Sequence, residues 1–149
     1  PCQFMVLAGT NHALLSWLRQ QSFRHRVVAN GYTDSIHQLM AIATLIITKP
    51  GGLTTAEALA KGVPLLIVTP IPGQEMCNAR YLVAHGAAIE VSVPTAVGDI
   101  VTRLFRDPTQ LDQLKQRAQQ LAHPDSALHI GRLLIELADR RLPLEVSRR

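Results

Sequence analysis

Between residues 4 and 91, short apolar runs alternate with stretches of helical spacing, and each run closes on a glycine, asparagine or proline turn. Phe4-Met5-Val6-Leu7-Ala8 stops at Gly9-Thr10-Asn11, after which Leu14, Leu15, Trp17 and Leu18 recur with the period of a helix. Arg26-Val27-Val28-Ala29 ends at Asn30-Gly31, and Asp34 or Ser35 can cap a helix carrying Ile36, Leu39, Met40 and Ile42. Leu45-Ile46-Ile47-Thr48 precedes Pro50-Gly51-Gly52 and a helix from about Thr54 to Lys61, which Gly62 and Pro64 stop. Leu65 to Val68 is a fourth strand, Thr69 to Glu75 a proline-rich loop, Met76 to His85 a helix and Ala87 to Val91 a fifth strand. Helices follow at about Thr95–Arg106, Pro108–Leu121 and Asp125–Arg140, with Pro124 breaking the last two. Strands that are short, continuously apolar and separated by helices fit a parallel, doubly wound sheet with helices on both faces. The predicted class is therefore α/β.

Length agrees with one such domain, since 149 residues lie within the roughly 100–200 of a single core. Aromatic residues are only 4% of the chain, so Val, Ile, Leu and Ala must build that core. The net charge of +4 is uneven: residues 31–100 carry three bases against five acids, and residues 101–149 nine bases against six acids. The bases are interspersed along helices and are not joined by stacking aromatics, which argues against nucleic acid as a partner. Contact with an anionic membrane surface fits the charge better. Cys2 and Cys77 are too far apart for a CxxC pair or a zinc site, and the six histidines show no paired metal spacing, so no metal and no cofactor is expected. A reducing cytoplasm is the default compartment. No stretch reaches the length of about 18 apolar residues that a membrane span needs.

In doubly wound sheets, ligands bind at the carboxyl ends of the strands. Three loops occupy that edge here: residues 30–34, 49–54 and 69–75. Glycines between a strand and a helix, as at Gly51-Gly52, let the backbone approach a ligand closely and aim helix amides at an anion. The loop has neither the GxGxxG of a dinucleotide site nor the GK[ST] of a P-loop, so a dehydrogenase or an NTPase is not supported. Glu57 lies one turn into the following helix and has two uses. Its carboxylate can accept hydrogen bonds from a ribose, or it can close a capping box over Thr54-Thr55-Ala56-Glu57. Gln74, Glu75 and Asn78 are similarly open to two readings, as contacts to sugar hydroxyls or as caps of the helix starting near Met76.

The run ITKPGGLTTAEALAKGVPLLIVTPIPGQEMCNARYLVAHGAA, residues 47–88, resembles the donor domain of the family that contains monogalactosyl- and glucosyl-diacylglycerol synthases and the lipid II N-acetylglucosaminyltransferase. The resemblance covers roughly residues 4–107. PGQE..N at 72–78 and Gly9-Thr10-Asn11 look more like the diacylglycerol enzymes, whereas Thr44 departs from the Asp usual before the third strand, at a position that is not a ligand contact. The fold implied is a Rossmann-like domain, one half of a B-type glycosyltransferase with two Rossmann domains. The resemblance implies that backbone groups at Tyr32 and Thr33 meet uracil, that Gly51, Gly52, Leu53 and Thr54 meet the diphosphate, that Glu57 holds the ribose, and that Gln74, Glu75 and Asn78 meet the sugar. It further implies a UDP-hexose donor, inverting transfer to a lipid such as diacylglycerol, and a cytoplasmic protein peripheral on the membrane.

The family's donor domain begins with an earlier strand and follows an acceptor domain that supplies the general base. The chain starts at Pro1, and both parts are expected upstream of it. The earlier strand is expected between the strands at 4–8 and 44–48, and the chain alone is expected to be inactive. Two other functions fit the same loops. One is a non-catalytic UDP-sugar-binding module, or the donor subunit of a two-chain transferase, which a neighbouring gene for the acceptor half would reveal. The other is a UDP-sugar epimerase-like domain, which would release an epimerised sugar without any acceptor.

Overall fold

The computed structural model describes residues 2–139, which form two compact units divided between Leu39 and Met40. In the first unit, β1 (Gln3–Leu7) leads through α1 (His12–Gln20) to β2 (Arg26–Asn30), and α2 (Ile36–Ile42) begins there. The strands β1 and β2 pair in parallel from Gln3 with Arg26 to Leu7 with Asn30. Asn11 caps α1, its Oδ1 accepting from the Leu14 amide at 2.9 Å, as a short polar side chain at a helix start should. Ahead of α2, the Ser35 carbonyl accepts from the Gln38 and Leu39 amides, and the Ser35 amide donates to Thr33 Oγ1 at 3.1 Å.

The second unit contains β3 (Ile46–Thr48), α3 (Gly52–Ala60), β4 (Leu65–Val68), α4 (Gln74–Ala84), β5 (Ala88–Val91), α5 (Val97–Arg106), α6 (Pro108–Gln120) and α7 (Ser126–Asp139), with a 3₁₀ turn at Pro94–Ala96. Its three strands run parallel in the order β3-β4-β5. Leu65, Leu66 and Ile67 on the central strand are fully buried, which is why that run is apolar without alternation. Around it, Ala58 of α3, Ala79 and Leu82 of α4, Ala88 of β5 and Ala118 of α6 complete the core. Small residues on the helices let them approach the sheet closely, so the scarcity of aromatics is not a shortage of packing material. Helix α3 ends in a Schellman turn, with Gly62 at φ +65°, its amide bonded to the Leu59 carbonyl and the Val63 amide to the Ala58 carbonyl. Gly86 closes α4 in the same way before β5.

The parallel α/β class and the five strands agree with the sequence reading. So does the interruption expected between the strands at 4–8 and 44–48: among the described residues the strands pair as β1-β2 and as β3-β4-β5. No hydrogen-bonded pairing joins β1 to β3, which is where the family resemblance leads one to expect an interruption. Strand burial differs from expectation. Only β4 has a run of buried residues, Leu65 to Ile67, whereas β1 alternates between exposed and half-buried positions, leaving Met5 and Leu7 partly open to solvent. Residue 140, the expected end of the last helix, lies outside the described residues.

Candidate functional site

The turn between β3 and α3 is the most heavily organised loop of the second unit. Pro50 is buried, has no N–H to offer, and is followed by a Gly51 amide that bonds back to the Lys49 carbonyl at 2.9 Å. Gly51 is the N-cap of α3 in an extended conformation, φ −64° and ψ 143°, and no side chain caps the helix. The first amides of α3, on Gly52, Leu53 and Thr54, therefore meet neither an intrahelical carbonyl nor a capping side chain. Neither Gly51 nor Gly52 has a positive φ. Their value is space: a Cβ at 51 would meet nothing within 4 Å, and one at 52 only Gln74 Nε2 at 3.9 Å. Uncapped amides, an open approach and the positive end of a helix dipole make a place for an anion.

Because α3 starts at Gly52 rather than Thr54, the capping box is not formed. Thr54 sits inside the first turn, and the Glu57 carboxylate is exposed with no hydrogen-bond partner among the described residues. Thr55 does the local work instead. Its buried hydroxyl donates to the Gly51 and Gly52 carbonyls, at 2.9 Å each. Leu53, beside the amides, is 82% exposed.

The loop entering α4 contains Thr69 at φ +45°, unusual for a β-branched residue, and Gly73 at φ +103°. Gly73 is the N-cap, so α4 begins two residues earlier than the pattern suggested, and neither Gln74 nor Glu75 caps it. Glu75 Oε2 accepts from the Ile71 amide at 2.9 Å and so closes the loop upon itself. Asn78 reaches across to the glycine turn, its Nδ2 donating to the Pro50 carbonyl at 2.9 Å. The exposed Gln74 has no hydrogen bond among the described residues, and its amide lies beside Gly52.

The structure thus brings the turn at Pro50, Gly51 and Gly52 against α4, with Asn78 on Pro50 and Gln74 beside Gly52, while Leu53, Thr54 and Glu57 lie on α3 and Glu75 turns back to Ile71. Tyr32 and Thr33 belong to the first unit, after β2, where Tyr32 is 74% exposed and Thr33 uses its hydroxyl on the Ser35 amide. Two functional features escaped sequence reasoning. The Thr55 bond follows a local i to i−4 pattern and could have been found by asking which carbonyl a first-turn threonine reaches. The Asn78 bond to a residue 28 positions away has no local signal.

Comparison with known proteins gives this geometry a context. The sequence profile described as "Glycosyltransferase family 28 C-terminal domain" matches residues 2–130. The processive diacylglycerol beta-glucosyltransferase of Bacillus pumilus is 35% identical over 139 residues, covering 92% of this chain and 36% of that protein. The enzyme of the same name from Staphylococcus carnosus is 32% identical over 144 residues, covering 96% of this chain and 37% of that protein. The chain therefore spans little more than a third of the length of these relatives. Among solved structures, Acinetobacter baumannii MurG superposes with a TM-score of 0.77 at 22% identity, covering 91% of this chain and 42% of that one. The glycosyltransferase VinC, solved in complex with dTDP, gives 0.59 at 20% identity, covering 94% and 42%. These two likenesses concern the fold. With a profile match over most of its length and relatives above 30% identity, the chain belongs to the glycosyltransferase family 28 C-terminal domain family.

Proposed function

We propose that this chain is the donor-binding half of a glycosyltransferase, holding a UDP-hexose for inverting transfer to a lipid acceptor such as diacylglycerol. The observation that carries the proposal is the uncapped N-terminus of α3, opened by Gly51 and Gly52 and followed one turn later by a free Glu57 carboxylate. In this reading the amides of Gly52, Leu53 and Thr54 bind the diphosphate, and Glu57 accepts the two ribose hydroxyls. Backbone groups at Tyr32 and Thr33 meet the uracil, while Gln74, Glu75 and Asn78 meet the sugar. Glucose is the first hexose to test, because the bacterial relatives are named as glucosyltransferases.

Negative charge grows on the diphosphate as the bond to the anomeric carbon breaks. A helix N-terminus of fixed geometry stabilises that charge without having to reorganise, by roughly 0.3–2 kcal/mol for the dipole alone. The attacking hydroxyl and the base that deprotonates it are assigned to an acceptor half, so this chain by itself is expected to bind donor without turning it over. Association with the membrane surface from the cytoplasmic side belongs to the same proposal. No helix among the described residues is long and apolar enough to cross a membrane.

Calorimetric titration tests the ligand class. UDP and UDP-glucose are expected to bind, NAD and ATP not to, and dTDP serves as the comparison for the base. Binding of ATP as tight as that of UDP would overturn the uridine assignment.

A further inference from the structure

In the first unit, the amino ends of β1 and β2 carry a thiol and an imidazole side by side. The two strands are parallel, and their first paired residues are Gln3 and Arg26. Cys2 and His25 each stand one position earlier, so the same register sets them opposite one another, with Cys2 Sγ 3.7 Å from His25 Nδ1. Residues two apart along a strand share a face. Phe4 accordingly meets the ring of His25, edge to face, with ring centroids 6.0 Å apart. The aromatic contact orients the imidazole, and the thiol it faces is half-buried. A nucleophile within hydrogen-bond reach of a base, with that base held by a third group, is the arrangement that activates a thiol.

The charges around the pair have one sign. Arg24 and Arg26 flank His25 in the chain and are exposed. Their separation from the ring, one residue either way, is small against the roughly 8–10 Å over which salt screens exposed charges. The one acid of the first unit is Asp34, which follows the carboxyl end of β2 while the thiol lies at the amino end. Five strand residues at about 3.3 Å each keep that carboxylate away from the arginines. A partly exposed thiol in a basic surrounding is the kind that reacts, and anions are the reagents such a surrounding attracts.

We propose that Cys2 and His25 form a reactive pair, a site of thiol–disulfide exchange with small anionic disulfides. In the tautomer with its proton on Nε2, His25 accepts the thiol proton at Nδ1. The Cys2 sulfur attacks one sulfur of the disulfide, the S–S bond breaks, and the departing thiolate takes up the proton. Cys2 is oxidised to a mixed disulfide, and the other half of the reagent is reduced to a free thiol. The proposal is independent of the donor site.

Cys77 provides the comparison within the same chain. It is the more exposed of the two thiols, has no imidazole partner among the described residues, and follows Glu75 by two residues on α4. Accessibility alone would therefore make Cys77 react faster. The test treats the reduced 149-residue chain at neutral pH with dianionic 5,5′-dithiobis(2-nitrobenzoate) and, separately, with neutral 2,2′-dithiodipyridine, and follows each cysteine by peptide mass spectrometry. With the dianionic reagent Cys2 is expected to react about tenfold faster than Cys77, because an unassisted thiol is only a few per cent thiolate at that pH. The advantage is expected to narrow with the neutral reagent and at high salt. His25→Gln is expected to remove it while leaving the Cys77 rate within about twofold, since the imidazole is the group that takes the proton. Cys77 reacting as fast as Cys2 in the unmodified chain would overturn the proposal without recourse to any variant. A fast Cys2 that is indifferent to His25→Gln would overturn the pairing, and an equal advantage with both reagents would overturn the preference for anions.

Discussion

Glu57 and Gly52 share helix α3, yet substitutions at the two positions are expected to act through different physical terms. Glu57 is exposed and uses its carboxylate on nothing in the described chain, so Glu57→Gln is expected to leave the melting temperature almost unchanged. If the carboxylate holds the ribose, replacing charge-assisted bonds by neutral ones weakens UDP binding by roughly 1–3 kcal/mol. Melting curves and titrations on one preparation check this. A large loss of stability with unaltered affinity would leave Glu57 a structural role only. Gly52→Ala adds a methyl that meets only Gln74 at van der Waals distance and needs no positive φ. It is expected to be neutral or slightly stabilising, by up to about 1 kcal/mol, while UDP affinity falls because the methyl occupies the approach to the amides. Gly62→Ala is the contrasting case. There φ is +65° and the new Cβ would lie 2.7 Å from Gln119 Cγ, so a loss of about 1–2 kcal/mol in stability is expected, measurable by urea unfolding.

At the level of elements, α6 and α7 are both amphipathic helices near the end of the described chain, but only one contributes to the core. Leu114 and Ala118 of α6 are buried, and α5 adds Leu104, which is fully enclosed. In α7 no residue is buried, and Leu128, Ile130, Leu133, Leu134, Ile135 and Leu137 remain 46–64% exposed. Leu104→Ala is therefore expected to cost about 2–5 kcal/mol through lost burial and a residual cavity. Leu134→Gln in α7 is expected to change stability by less than about 0.5 kcal/mol, since little apolar area leaves water there on folding. Chemical denaturation of the two variants separates the cases. A cost at Leu134 comparable to that at Leu104 would mean that α7 is covered in solution.

For the molecule as a whole, the proposed function places donor binding in this chain and acceptor activation elsewhere. Holding two reactants in attack geometry is worth roughly 7–11 kcal/mol, and a donor site alone cannot supply it. Mixing UDP-glucose and diacylglycerol with the 149-residue chain is expected to give no repeated turnover, whereas a protein that joins this chain to an acceptor half should release UDP steadily. Multiple turnovers by the short chain would show that it contains a base, with His12 and Glu75 the first positions to substitute.

Element order was legible in the sequence because its signals act over a few residues. Apolar run length and Gly62 before Pro64 are local, and the observed strands and the end of α3 follow them. The α3 and α4 boundaries were misplaced by two residues because glycine caps carry no side chain to announce them, and the supposed capping box vanished with that shift. The glycine turn ahead of α3 was legible for the same local reason as the strands. The uses of the polar side chains around it were not. A hydrogen-bond donor takes whichever acceptor folding brings within about 3 Å. Only the tertiary structure could show that Asn78 grips Pro50, and that Glu75 closes onto Ile71 while Glu57 has no partner among the described residues.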